Sequence, residues 1–321
     1  PNLIVTTETI SPWRFDAARN MQLKDIYART GDEWVYFQAD VDEVISGGGW
    51  KKKILDVFSD SSVTRGTYRY VFNYKPDGSE GIVFDADKIH DRRYIWVNAV
   101  HEVLMPAPGQ TFPGKTVHAG GFTLEHRTLY KPTRAKYIDL LRQSVEDDPK
   151  NDRNLHYYGR ELVFNGKNDD GISVLKRHLE IGKWAPERAS SCRYIGDAFR
   201  NKGDMNSALE WYGRGVTECP GNREPYYWKC KCLYDMKNWN DLAECCRSAL
   251  AVRHQESSYL READAYGYRF YDWLCMALWY GSGDKAMSLA MAYAAYGAAM
   301  DMKGVPPEES ARLHSNVMCC Q

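Results

Sequence analysis

Trp34-Val35-Tyr36-Phe37-Gln38-Ala39-Asp40-Val41-Asp42-Glu43 sets a run of apolar, β-prone residues directly before a cluster of carboxylates. The pattern predicts a buried strand whose C-terminal end delivers acids into a cleft, the place where open α/β sheets bind ligands. Asp40 and Asp42 lie two apart, so along an extended strand they share a face. Two converging carboxylates repel each other unless a cation sits between them. Hard oxygen ligands suit Mg²⁺ or Mn²⁺, ions that commonly complete their shell with phosphate oxygens. A turn rich in Asp would carry the same letters with no ligand at all.

Outward from this stretch, residues 1–150 read as α/β. Leu3-Ile4-Val5 suggests a short strand, and Phe15 to Thr30 has helical spacing ended by Gly31-Asp32. Ile45 to Gly49 reads as a glycine-rich loop. Trp50 to Phe58 reads as a helix with Lys51, Lys52 and Lys53 on a solvated face. Thr67 to Tyr74, Gly81 to Phe84 and Tyr94 to Val100 are strand candidates. Residues 105–121 are rich in glycine and proline and predict a long loop, of the kind that often serves as a functional lid. Val83-Phe84-Asp85-Ala86-Asp87 is a second strand followed by D-x-D. It ranks below the first, because Lys88, His90, Arg92 and Arg93 follow it and would neutralise it locally.

From about residue 153 the pattern becomes helical and repeats. The clearest unit holds Gly196, Phe199, Gly203, Ala208, Tyr212, Gly215 and Pro220. These resemble the small and large positions of a tetratricopeptide repeat: a small residue where two helices meet, an aromatic beside it, a turn glycine and a closing proline. One unit earlier stand Gly159, Leu162, Gly166, Gly171 and Leu175. One unit later stand Cys230, Leu233, Leu242, Cys246 and Ala249. A fourth unit, after an insertion around 256–265, has Leu274, Ala277, Gly281, Ala286 and Ala290. Each hairpin cannot bury its apolar face alone, so neighbours stack. The resemblance implies an array over 151–321 that binds a protein partner or braces the preceding domain, with its aromatics and cysteines serving as core.

Composition narrows the function classes. With 321 residues the chain has room for two domains with sizeable cores. A net charge of −1 gives no electrostatic case for nucleic acid or an anionic membrane. All nine cysteines follow residue 190, and none forms a C-x-x-C pair. They read as reduced thiols of a cytoplasmic protein, not as a disulfide framework or zinc site. The apolar run from Ser288 to Met300 is too short to span a bilayer, so no transmembrane segment is expected.

The first half also carries a family resemblance. Ala18-Arg19-Asn20 on a helix, then a hydrophobic strand ending in Asp40-Val41-Asp42-Glu43, is similar to the middle of family-2 glycosyltransferases of the GT-A fold. Val100-His101-Glu102-Val103-Leu104 looks like that family's downstream V-H-E-x-L. Leu124-Glu125-His126, with Lys131, Lys136 and Tyr137, resembles the segment that closes its transferase domain. In a bacterial subgroup of the family, this segment leads into tetratricopeptide repeats. The family's opening βαβ unit, which holds the base and ribose of the donor, has no counterpart before Asp40, so the α/β domain is expected to be incomplete at its N-terminus.

The resemblance implies an α/β plus all-α protein: a partial GT-A-like mixed sheet over 1–150, then the repeat array. The implied activity is metal-dependent, inverting transfer of a sugar from a nucleotide-sugar donor to a hydroxyl of a saccharide, protein or other acceptor. Asp40, Asp42 and His126 are the expected ligands of Mn²⁺ or Mg²⁺. Asp40 is alternatively expected to contact ribose or phosphate, and Arg19 to meet phosphate. Glu102 is the candidate general base, with Glu43 in reserve. The competing reading is a non-catalytic interaction scaffold carrying a degenerate transferase remnant. A phosphotransferase using the same acids lacks a Walker-type glycine-rich loop.

Overall fold

The computed structural model describes residues 7, 9–75, 78–110, 114–127, 137–253, 260–302 and 304–320. The expected strand at Leu3–Val5 and the lysines Lys131 and Lys136 lie outside the described residues. The chain divides into two compact units, Pro1–Asn73 with Glu80–Pro149, and Tyr74–Ser79 with Lys150–Gln321.

The first unit runs α1 (Phe15–Arg29), β1 (Tyr36–Phe37), β2 (Glu43–Ser46), α2 (Trp50–Val57), β3 (Val63–Val71), β4 (Val83–His90), β5 (Tyr94–Val97), β6 (Val103–Pro106), β7 (Lys115–His126) and α3 (Ile138–Asp147). A five-stranded mixed sheet has the order β1-β4-β3-β7-β2, and β5 and β6 form a separate hairpin. Among the described strands, only β3 and β7 pair in parallel. β3 shows why the sheet holds. Tyr68 and Tyr70 alternate with half-exposed Thr67 and Arg69, and they pack with Ile89, Phe122 and Leu124 against Ile54 of α2. A second small core joins Leu23 of α1 to Tyr94, Trp96 and Leu104 of the β5–β6 hairpin.

Two expectations are corrected here. The Trp34 stretch is not one strand carrying its acids on a shared face. It leaves the ladder after Phe37, crosses the end of the sheet as a turn, and re-enters at Glu43 on the opposite edge. The turn closes on itself: the Glu43 N–H donates to the Asp40 carbonyl at 3.1 Å, and the Asp40 N–H donates to Glu43 Oε2 at 2.7 Å. An acidic side chain that satisfies the turn's own backbone competes with the ladder. The long loop expected over 105–121 is shortened by strand at both ends, since β6 runs to Pro106 and β7 begins at Lys115. Its Gly120-Gly121 pair is a bulge, where the β3–β7 register shifts between Thr67 and Arg69 and Gly121 takes φ +83°.

The second unit contains helical hairpins. They are α4 (Asp152–Phe164) with α5 (Asn168–Ile181), α6 (Ala185–Asn201) with α7 (Met205–Glu218), and α8 (Arg223–Asp235) with α9 (Trp239–Ala251). Then come α10 (Arg269–Ala277) with α11 (Lys285–Met300), and α12 (Pro307–Cys320) against α11. A Cβ on Gly196 would stand 2.6 Å from the ring of Tyr212, so the hairpin closes only on a residue without a side chain. Asp204, Asn238 and Asp284 cap α7, α9 and α11 through their side chains. First helices touch in succession, α4 on α6, α6 on α8 and α8 on α10. This is the stacking expected of repeats that bury a continuous core. The cysteines are free, and Cys230 and Cys246 lie inside the core of the third hairpin.

Candidate functional site

Strand pairing, not sequence proximity, assembles the acidic turn with its partners. β2 runs antiparallel to β7 with Glu43 opposite His126, which brings His126 beside Asp42. β1 pairs with β4, and the Gln38 N–H donates to the Lys88 carbonyl, which sets Lys88 beneath the turn. α1 carries Arg19 over the ring of Trp96, 4.8 Å from its centroid. The turn between β5 and β6, with Asn98 and His101 at positive φ, places Glu102. Arg19 and Glu102 therefore reach the acidic turn at Asp40, and His126 reaches it at Asp42, through two separate sets of contacts.

Arg19 bridges two of these acids. Its Nε donates to Glu102 Oε1 at 2.6 Å, and its Nη2 donates to Asp40 Oδ1 at 2.8 Å. Lys88 Nζ adds bonds of 3.0 Å to Asp40 Oδ2 and 2.6 Å to Glu43 Oε1. Burial alone would raise the Asp40 carboxyl, but Lys88 and then Arg19 outweigh it and hold it below the usual carboxylate range. Burial opposes the Arg19 charge, and Glu102 and Asp40 more than restore it, so the guanidinium stays firmly protonated. Asp40 is thus an ion-pair acceptor for Arg19 and Lys88. Arg19 divides its fork between Asp40 and Glu102.

Glu43 is held more deeply than Asp40. Its side chain is only 1% exposed. Oε1 accepts from Lys88 and from the Tyr70 hydroxyl at 2.7 Å, and Oε2 accepts the Asp40 N–H. Both oxygens of Glu43 thus hold the turn. Burial, and then the Glu43 charge, push the Tyr70 hydroxyl far above its ordinary range, which keeps it a donor.

Asp42 and His126 are arranged differently. Asp42 Oδ2 lies 3.1 Å from His126 Nε2, and His126 Nδ1 lies 3.0 Å from the Phe72 carbonyl. A carbonyl can only accept, so Nδ1 carries a proton. Nε2 then faces the Asp42 carboxyl group. Two ligands at right angles on one ion, each about 2.1 Å from it, stand about 3 Å apart. The pair therefore fits two adjacent ligand positions, with the imidazole oriented by a backbone carbonyl. No cluster of three His, Cys, Asp or Glu side chains with metal-holding geometry occurs among the described residues.

The second D-x-D stands apart. Asp87 pairs with Arg65, and Asp85 lies 3.6 Å from His118 Nδ1. Lys88, which the sequence assigned to neutralising this pair, neutralises Asp40 and Glu43 instead. Lys88 and Tyr70 are the members of the site that sequence reading missed. Their only signal is the sheet pairing, which a single sequence does not display.

No family model matches the chain, and no curated protein matches it. Among solved structures the chain is similar to the crystal structure of MamA, at 15% identity over 54% of this chain and 97% of that one, with a TM-score of 0.41. It is similar also to YrrB, described as a TPR protein with an unusual peptide-binding site, at 12% identity over 57% and 84% with a TM-score of 0.40. A third is TTC0263, a thermophilic TPR protein in Thermus thermophilus, at 13% identity over 58% and 91% with a TM-score of 0.39. At such scores the character of the array rests on its own hairpins. The chain is a mixed-sheet domain followed by a helical-hairpin array resembling tetratricopeptide repeats, and no helix among the described residues is long and apolar enough to cross a membrane.

Proposed function

We propose that the chain acts as a protein-interaction scaffold through its helical array. One observation carries this reading: the first helices bear a ladder of cations over aromatic rings. Arg153 and Arg160 lie 5.0 and 4.6 Å from the Tyr157 ring centroid on α4. Arg193 of α6 lies 4.7 Å from Tyr194 and 3.7 Å from Trp228 of α8, and Lys231 lies 5.1 Å from the same Trp228. Arg, Tyr and Trp are the side chains that dominate binding energy at protein interfaces. YrrB, a TPR protein with an unusual peptide-binding site, is compatible with this reading. Cross-linking mass spectrometry on the full chain in its native extract tests it. Inter-protein cross-links should concentrate on lysines of the array, Lys183, Lys229 and Lys231 among them; cross-links confined to residues 1–149 would overturn the reading.

A second reading is favoured by the gathering of Arg19, Asp40, Asp42, Glu43, Glu102 and His126 around one turn. This supports a nucleotide-sugar transferase site in the sheet domain. A divalent cation there would neutralise charge developing on a leaving diphosphate. Asp42 and His126 would hold it, because Asp40 is committed to Arg19 and Lys88. Arg19 would orient Glu102, whose carboxylate would take the acceptor's proton once the ion pair opens. Calorimetry checks the binding part: Mn²⁺ and a nucleoside diphosphate should each tighten binding of the other. Asp42→Asn should abolish that coupling and Asp85→Asn should leave it intact; unchanged coupling in Asp42→Asn would dismiss the site.

A further inference from the structure

Helix α12 is joined to α10 by two sets of contacts of different chemistry. Toward its N-terminal end the contacts are polar. Arg312 Nη2 donates to Asp272 Oδ2 at 2.7 Å, and Asn316 Nδ2 donates to Asp272 Oδ1 at 3.1 Å. Glu309 accepts from the Tyr268 hydroxyl at 2.9 Å and from Arg269 at 2.5 Å. At the other end, Cys275 of α10, Ser288 of α11 and Cys320 of α12 meet. Cys275 and Ser288 are buried, whereas Cys320, the last residue of α12, is half-buried.

The hydrogen bonds of Ser288 fix the state of the two sulfurs. A carbonyl only accepts, so the Ser288 hydroxyl donates to the Cys275 carbonyl at 2.9 Å. It has no second proton to give. The Cys275 thiol at 3.4 Å and the Cys320 thiol at 3.6 Å therefore both donate to the Ser288 oxygen. One acceptor thus holds two thiols side by side. Burial pushes the Cys275 thiol up to about 11; Ser288 opposes the rise and the neighbouring Cys320 sulfur adds to it. Cys275 therefore stays a thiol at neutral pH, and Cys320 is the sulfur of the two that solvent reaches.

We propose that Cys320 and Cys275 form a reversible disulfide site that a hydroperoxide oxidises and that locks α12 onto α10. The Cys320 sulfur attacks the peroxide. An S–O bond forms, the O–O bond breaks and water leaves, giving a sulfenic acid. The Cys275 sulfur then attacks the Cys320 sulfur. The S–S bond forms, the S–O bond breaks, and its oxygen leaves with the Cys275 proton as a second water. Two thiols and one hydrogen peroxide become one disulfide and two waters. A residue at a helix end adjusts its backbone readily, as disulfide geometry demands. The pair Cys230 and Cys246 supplies the contrast. Their sulfurs lie 3.7 Å apart, but both residues are fully buried in the third hairpin, out of reach of an oxidant. Oxidation at Cys320 adds a covalent tie at the end of α12 opposite its polar contacts, so the last helix closes the array more firmly.

The test exposes the full chain to hydrogen peroxide, alkylates the remaining thiols and digests without reductant for mass spectrometry. A peptide pair joined through Cys275 and Cys320 should be the main disulfide, and dithiothreitol should reverse it. Hydrogen exchange over residues 313–320 should slow by roughly tenfold in the oxidised chain. Cys275→Ser should leave Cys320 as a sulfenic acid that dimedone captures several-fold more than in the unaltered chain. Cys320→Ser, at the half-buried end of α12, should leave Cys275 open to alkylation after unfolding, with circular dichroism confirming retained helix. Cys319→Ser should leave the disulfide intact. Peroxide that leaves Cys275 reduced while Cys320 is unreacted, over-oxidised or joined to a different thiol overturns the inference. So does oxidation of Cys230 and Cys246 ahead of this pair, or a disulfide that leaves exchange in α12 unchanged.

Discussion

Gly196 and His126 each make their half of the molecule possible, and they do so in opposite ways. Gly196 acts by what it lacks. Helix α6 approaches the Tyr212 ring because no Cβ intervenes, and Gly159 repeats the device against Leu175 in the preceding hairpin. His126 acts by what it carries, and its partner Asp42 reaches it only through the β2–β7 ladder. In the array, packing is local and repeated, so each hairpin states its rule again. In the sheet domain the bonds that wire the acidic turn are made once, several of them between residues far apart in sequence. A repeat should therefore fail locally and a single-copy network should fail as a whole.

The largest effect is expected where the single-copy network is deepest. Glu43→Ala removes the acceptor of Lys88, Tyr70 and the Asp40 N–H together. Breaking a buried pair typically costs 3–5 kcal/mol, and Lys88 keeps Asp40, so a loss of about 3 kcal/mol is expected. Denaturant unfolding of the full chain should show it in the transition of residues 1–149 alone. A loss below about 1 kcal/mol would mean that the turn does not depend on this carboxylate.

The array's counterpart is Gly196→Leu, which forces atoms into the Tyr212 ring. Overpacking costs typically about 1–3 kcal/mol. Hydrogen exchange should quicken in α6, α7 and the hairpins beside them, and the sheet domain should be unaffected. Exchange loosened evenly across residues 150–320 would contradict nearest-neighbour coupling.

How much of this was legible follows from the same contrast. The hairpins could be read because Gly196, Ala208 and Tyr212 recur as a pattern, and Gly166 and Gly203 mark the turns. The acids could be read as a group, because Asp40, Asp42 and Glu43 are nearly contiguous in the sequence. Their wiring could not. Lys88 stands next to Asp87 in sequence yet serves Asp40 and Glu43, because the β1–β4 pairing decides which face it reaches. The glycines at 120 and 121 looked like loop because a bulge inside a strand uses the residues a loop uses. Neither outcome is fixed by local propensity, since sheet register is a long-range property.

Buried histidines permit a milder comparison of the halves. Burial pushes His90 of the sheet domain down to about 4 and His156 of the array down to about 3. Each stays neutral in the fold while the unfolded chain takes up a proton near pH 6.5. Below that pH the unfolded state binds more protons, so stability is complete above about 6.5 and falls as pH drops toward each folded value. At pH 5.5 each half should lose roughly 1 kcal/mol, since one pH unit is worth at most 1.36 kcal/mol per group. The decline should continue further for the array than for the sheet domain. His156→Gln should flatten the slope of the array only, and an unchanged slope would assign the acid sensitivity elsewhere.

The smallest effect concerns the turn between helices, where the repeat breaks its own rule. Gly166, Gly203 and Gly283 take φ values of +75°, +82° and +68° at the turns of their hairpins. The third hairpin has Lys237 there, at φ +56°. A residue with a Cβ pays roughly 1–2 kcal/mol in this left-handed region, whereas glycine adopts it freely but loses more chain entropy on folding. The two terms oppose each other, and the steric one is the larger by a few tenths. Lys237→Gly is therefore expected to stabilise the α8–α9 hairpin by about 0.5 kcal/mol. Gly203→Ala should destabilise α6–α7 by a similar amount, about 0.5 kcal/mol, because it adds the penalty that Lys237 already bears. Thermal unfolding of both variants, read beside hydrogen exchange in α9 and α7, separates the cases. If Lys237→Gly lowers the melting temperature, the lysine side chain contributes a contact that outweighs its backbone strain, and the third hairpin is held by more than the shared pattern.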